Sequence, residues 1–326
     1  MVSACSSSPF EAPPSSPPPS AAPTDVAVSA PPASASSSAA TALAPVRVAF
    51  ARALQVVSGG QLPAPCQTGD VRCLVSARFS GHDAERTSAL ALFDETGDVV
   101  GTEEEHQMEG GFRGTIHIVP ELPVRQYAKH LGWVLSAQRD IAVFQKAIED
   151  KHGGPVPYRN RALVFRFLRS VGRTTPSAYA ANWEVGYNVS GSLHAHAEAV
   201  RDTIFHEVFH LNDQAHKNWS RRAIGPIVDR IAAKCASKTA CLTPYAPFKT
   251  MVRGGTYYAF QPNNGDIAHE YAAELATRYF MEQRAALKGE VPAGGWFKCG
   301  PTENAETMTA LAKEFFGAVD LTPACK

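Results

Sequence analysis

The sequence has no excess of either charge: 31 Lys and Arg stand against 31 Asp and Glu. Without a basic field nothing draws in a nucleic-acid backbone, so no nucleic-acid partner is expected. Nor is there an uninterrupted apolar run of the ~18 residues that mark a membrane-spanning helix, so no transmembrane span is expected. No internal repeat is visible, and no C-x-x-C pair suggests a zinc ribbon or a dithiol redox motif. From Ser6 to about Ala44 aromatic and branched residues are scarce, and Ser, Pro and Ala make up most of the segment. Such a composition cannot bury enough surface to offset its chain entropy, and its prolines keep it extended. Residues 1–45 are therefore expected to form a disordered tether.

Cysteine is present in a telling arrangement. Of the seven cysteines, six are placed to close loops: Cys66 with Cys73, Cys235 with Cys241, and Cys299 with Cys325. Sequence alone leaves other pairings open, but this usage points to an oxidising compartment and hence to export. The seventh lies in Val2-Ser3-Ala4-Cys5, which resembles a bacterial lipobox, in which small residues precede a cysteine that is acylated after signal cleavage. The resemblance implies a lipid anchor through Cys5 and a place in the bacterial cell envelope, with plain secretion as the alternative. A charged and then apolar leader should precede such a box, whereas four residues do so here. The start is accordingly read as trimmed or assigned too late.

Between Val46 and Pro120 the residue types favour strands. Val71 to Phe79 and Ala89 to Phe93 carry β-compatible side chains, Asp94-Glu95-Thr96-Gly97 supplies turn chemistry, and Gly114 to Val119 alternates. A small β-rich region over 46–120 is expected. The period then changes: Tyr127, Leu131, Val134, Leu135, Ile141, Phe144 and Ile148 fall at helical spacing before a break at Gly153-Gly154-Pro155. Arg161 to Leu168 and Ala178 to Val189 read as strands. After Ser190-Gly191-Ser192, which offers an N-cap, a helical segment runs to about Asp213.

That segment contains His206-Glu207-Val208-Phe209-His210. Residues four apart lie above one another on a helix, so both imidazoles can face one metal ion, with Glu207 beside them. Two imidazoles and one further ligand leave a zinc ion a position for water, and a neighbouring glutamate can take that water's proton as it attacks a peptide carbonyl. This is the chemistry of H-E-x-x-H proteases. The apolar flanks Val200, Ile204, Phe205, Val208 and Leu211 indicate a buried helix, where unpaired histidines would be costly. His194 and His196, on the entering turn, stand off the face of the motif. Asn188-Val189-Ser190 matches a glycosylation acceptor that carries no meaning in a bacterial setting.

A third ligand is needed. Downstream, His269-Glu270-Tyr271-Ala272-Ala273-Glu274-Leu275 opens another apolar helix, and Glu270 and Glu274 are again four apart. Here the sequence resembles the gluzincin metallopeptidases, most closely the catalytic domain of anthrax lethal factor and its bacterial relatives. That group has an aspartate three residues after the second histidine, as Asp213 here, and a later E-aromatic-x-A-E helix whose first glutamate binds zinc. The resemblance implies His206, His210 and Glu270 as zinc ligands, Glu207 as general base, and Asp213 and Glu274 as residues that orient the ligands. It further implies a tyrosine that stabilises the oxyanion, for which Tyr257 and Tyr258 are the nearest candidates, further upstream than the group's pattern has it. An edge strand drawn from Ala178 to Val189 would pair with an extended peptide substrate.

A competing geometry places His216 as third ligand, at the metzincin position, with Met251 as a methionine turn; Asp213 stands where that pattern has glycine. The expectation is an α+β zincin-like domain over 121–326, binding Zn2+ and hydrolysing a peptide bond in a protein or peptide substrate. Two other readings use the same site. One is a non-catalytic zinc-binding envelope protein, its site closed by His216 or His269. The other is a hydrolase of a different amide, such as one in the cell wall.

Overall fold

The computed structural model describes residues 46–110, 114–236, 238–252, 254–261 and 266–325. The tether expected over 1–45, with Cys5, lies outside the described residues. From Val46 onward the chain forms one compact unit of mixed α/β structure around a curled sheet.

The first elements are helices: α1 (Phe50–Ser58), α2 (Val71–Arg78) and α3 (Asp83–Thr96). This corrects the strands expected over Val71 to Phe79 and Ala89 to Phe93. The buried residues Val71, Leu74, Val75 and Phe79 fall at helical spacing, as do Ala89, Leu92, Phe93 and Thr96. Residue type suggested strands, but the period specified helices. Local signals agree with the period. Asp70 caps α2 by accepting the Cys73 N–H at 2.9 Å, and acidic residues occupy the first turn of α3. Gly97 ends α3 at φ +74°, where a Cβ would also collide with the Val46 carbonyl oxygen, so only glycine fits.

The sheet follows. Strands β1 (Val99–Thr102), β2 (His106–Glu109) and β3 (Thr115–Pro120) precede the long helix α4 (Ala128–His152). After it come β4 (Val164–Ser170), β5 (Ala178–Ala181) and β6 (Glu184–Asn188). The order is β2-β3-β4-β6-β5, with β1 parallel to the first half of β4. The expected strand from Ala178 to Val189 is instead a hairpin. Asn182 and Trp183, both at positive φ, make its two-residue turn, and β5 becomes the edge strand. Asn188 is buried, and its amide donates to Ser170 Oγ and the Pro176 carbonyl, so the apparent glycosylation acceptor is a core residue.

The remaining elements are helical: α5 (Ala197–Ala215), α6 (Trp219–Ala223), α7 (Gly225–Cys235), α8 (Thr239–Leu242), α9 (Ile267–Leu287) and α10 (Thr302–Phe315). The N-cap of α5 is His196, whose ring accepts the Ala199 N–H, and not the Ser190-Gly191-Ser192 stretch. Disulfides join Cys66 to Cys73, Cys235 to Cys241 and Cys299 to Cys325, as their spacing suggested, and they are consistent with an oxidising environment. Among the described residues no helix is long and apolar enough to cross a membrane.

Aromatic packing fixes the helices that matter. Phe205 of α5 stacks on Phe280 of α9 at 4.3 Å and on Tyr158 at 5.2 Å, and meets Phe144 of α4 edge-on at 5.9 Å. Arg201 and Arg284 both reach Asp140 of α4. Replacing Phe205 by alanine removes the centre of this cluster, and an unfolding free energy lower by about 3–5 kcal/mol is expected in denaturant titration. A loss under about 1 kcal/mol would show that the helices are held elsewhere.

A second buried cluster joins β6 to the N-terminal turns of α4 and the entry to α5. Tyr187 stacks on His194 at 4.1 Å, and its hydroxyl is 2.9 Å from His130 Nδ1. Burial pushes both imidazoles down to about 4. Folded values below the unfolded ~6.5 mean that the unfolded chain binds the extra protons. The stability they confer is present above pH ~6.5 and is lost as pH falls through about 4. Near pH 5 each histidine should contribute a slope of about 1 kcal/mol per pH unit. His194→Asn should flatten the measured stability–pH curve in that window; an unchanged slope would refute the assignment.

Candidate metal centre

The helical motif places its two histidines as the spacing requires. His206 and His210 sit one turn apart on α5 with Nε2 atoms 3.1 Å apart. Neutral imidazoles offer a lone pair at that nitrogen, and two lone pairs pointed together repel unless a proton or a cation lies between them. Glu270, in the first turn of α9, closes the group: its Oε2 lies 3.4 Å from His206 Nε2 and 3.8 Å from His210 Nε2. All three side chains are largely buried, and His206 is the most exposed at 14%.

The three atoms fit a metal. Ligands ~2.0–2.1 Å from a tetrahedral zinc are about 3.3 Å apart, within the range of the separations above. Glu270 Oε2 is buried with no hydrogen-bond donor, which costs free energy unless a cation compensates. Among the described residues this is the group of three or more His, Cys, Asp or Glu placed to hold one ion. Burial lowers the His206 imidazole, but the Glu270 carboxylate 3.4 Å away and the nearby Glu207 and Glu274 carboxylates raise it on balance. His210 is held well below its ordinary value by burial and by the neighbouring His269 and His206.

The packing of α5 on α9 creates this meeting. Phe205 faces Phe280, His210 faces His269, and Asp213 faces His269, so the two helices run antiparallel. Contacts between them place Glu270, sixty residues from His210 in the chain, opposite the motif.

Other residues singled out from the sequence are distributed unevenly. Glu207 is buried beside the histidines. Asp213 is fully buried and engages Ser220 N at 2.7 Å, Ser220 Oγ at 2.6 Å and His269 Nδ1 at 3.0 Å. It therefore reaches His210 through His269. Glu274 lies on the Glu270 side of α9, where burial pushes its carboxyl up to about 8 against the His206 charge and a hydrogen bond from the Phe248 N–H. That bond ties α9 to the chain around Phe248. Tyr257 and Tyr258 separate: the Tyr257 hydroxyl bonds Thr243 Oγ1 at 2.9 Å, whereas the Tyr258 ring lies 6.1 Å from the His206 ring.

His216 stands outside the group, at the C-cap of α5, with Nδ1 2.7 Å from Glu314 Oε1. Met251 is 45% exposed and bridges Tyr257, so it does not underlie the histidines as a methionine turn would. His194 and His196 are occupied as described above. His269 is the residue whose position the sequence conveyed least: its ring stacks on His210 at 4.0 Å with 24° between planes.

The geometry yields a direct test. Glu270→Ala should weaken zinc binding by more than about 100-fold, beyond the 10–100-fold usual for residues that merely support a ligand, as read by chelator competition. His216→Ala should leave affinity unchanged. The reverse pattern would move the third ligand to His216.

No family model matches this chain, and neither a curated protein nor a solved structure matches it.

Proposed function

We propose that this protein is a zinc-dependent metallopeptidase of the zincin type, with the gluzincin ligand set His206, His210 and Glu270. The convergence of Glu270 Oε2 on the two imidazole nitrogens carries the reading. A structural zinc site is closed by four protein ligands, whereas three leave a coordination position for chemistry. Zinc in this position supplies Lewis acidity, polarising a carbonyl oxygen and making water more acidic.

Glu207 acts as general base. It lies between the two histidines in sequence and is buried, so it is positioned to take a proton from the attacking water and return it to the leaving amine. Tyr258, the closer tyrosine to His206, donates to the oxygen on which negative charge develops. Tyr257 holds the segment that carries Tyr258 through its bond to Thr243. The substrate is a protein or peptide laid along the edge strand β5, where backbone hydrogen-bonding groups are available beside α5. Export, either to the bacterial envelope through an acylated Cys5 or as a secreted protein, agrees with the three disulfides.

The test is hydrolysis of a generic unfolded protein, measured together with zinc content. Glu207→Gln should lower kcat/KM by about 10²–10⁴-fold and retain zinc. Zinc-loaded wild-type protein that cleaves no polypeptide would contradict the peptidase reading, and cleavage of a different amide would redirect it to another substrate.

A further inference from the structure

Metal-bound histidines are ordinarily held by an acceptor on the nitrogen that does not face the metal. His210 departs from this, because its Nδ1 is buried and has no hydrogen-bond partner among the described residues. Asp213, three residues on and expected to orient a ligand, is engaged with Ser220 and His269 instead. Something else must fix the rotation of the His210 ring.

Two aromatic contacts bear on that ring. The His206 ring meets His210 edge-on at 4.8 Å and 84°, and His269 covers a face of it at 4.0 Å and 24°. His269 is itself held at two points: its backbone N–H donates to the Asp266 carbonyl, and its Nδ1 bonds Asp213 Oδ2. Asp213 in turn accepts both the backbone and hydroxyl donors of Ser220. The order of support therefore runs from α6 through Asp213 to His269, and from His269 by stacking to His210.

Resting on the zinc-site reading above, we infer that His269 is a positioning residue that orients His210 for metal by ring stacking, in place of the hydrogen bond that His210 lacks. His269 binds no metal in this role. Its immediate neighbour Glu270 supplies the oxygen ligand, so one turn of α9 provides both a ligand and the support for another.

The experiment compares His269→Ala, which removes ring and hydrogen bond together, with His269→Phe, which keeps an aromatic face and removes the bond to Asp213. Zinc affinity is measured by chelator competition, and the visible spectrum is recorded after loading with Co2+ alone. Unfolding midpoints of the metal-free variants establish that both fold. His269→Ala should lose about 10–100-fold in zinc affinity, the range for residues that support a ligand, and its cobalt spectrum should shift. His269→Phe should recover most of that affinity and the wild-type spectrum. Equal affinity of wild type and His269→Ala would overturn the inference while leaving the zinc reading intact. So would a His269→Phe protein as weak as His269→Ala, since the bond to Asp213 would then carry the effect. Wild-type protein that binds no zinc would overturn both.

Discussion

Two imidazoles and a carboxylate are forced together in a buried place where, without a proton or a cation between them, their lone pairs oppose one another. The helices around this group are packed so as to maintain that proximity. Its cost is offset by apolar packing between α5 and α9, with Phe205 on Phe280 at its centre and Phe144 of α4 against both rings. Arg201 and Arg284, converging on Asp140, tie the same three helices together at one end. At the other end the buried Asp213 ties α5 to α6 and α9. The group of His206, His210 and Glu270 lies between these two fixed ends, which limits how far Glu270 can drift from the histidines.

This arrangement explains why charged and titratable groups are tolerated in the interior. Asp213 is matched by three donors, and Glu274 meets the cost of burial by a raised pKa and a backbone hydrogen bond. Among the described residues Glu274 Oε2, Glu270 Oε2 and His210 Nδ1 are buried without a hydrogen-bond partner. Glu270 Oε2 is placed where a metal ligand would be, and the His210 ring is stacked on His269.

What could be read from the sequence divides along the range of the interaction. The spacing of His206 and His210, and of Glu270 and Glu274, is helical geometry within four residues, and it transfers directly into three dimensions. The disulfides were legible for a similar reason, because short separations restrict the partners. Val71 to Phe79 carries strand-type residues at a helical period: its buried positions, Val71, Leu74, Val75 and Phe79, recur at three and four residues, not two. The hairpin at Asn182-Trp183 has a weak sequence signal, because Asn182 is followed by Trp183 and not by the glycine that makes Asn-Gly a strong turn marker. His269 against His210, and Asp213 against His269, are contacts between distant segments. No local pattern encodes them; they follow from the antiparallel packing of two helices.

The most direct measurement is X-ray absorption at the zinc edge of protein loaded with one equivalent of zinc. The account predicts two imidazole nitrogens at ~2.0–2.1 Å, the remaining scatterers oxygen, and no sulfur. A third imidazole would bring His216 or His269 into the coordination sphere. That result, sulfur ligation or a failure to take up zinc would contradict the assignment of His206, His210 and Glu270 as the ligand set.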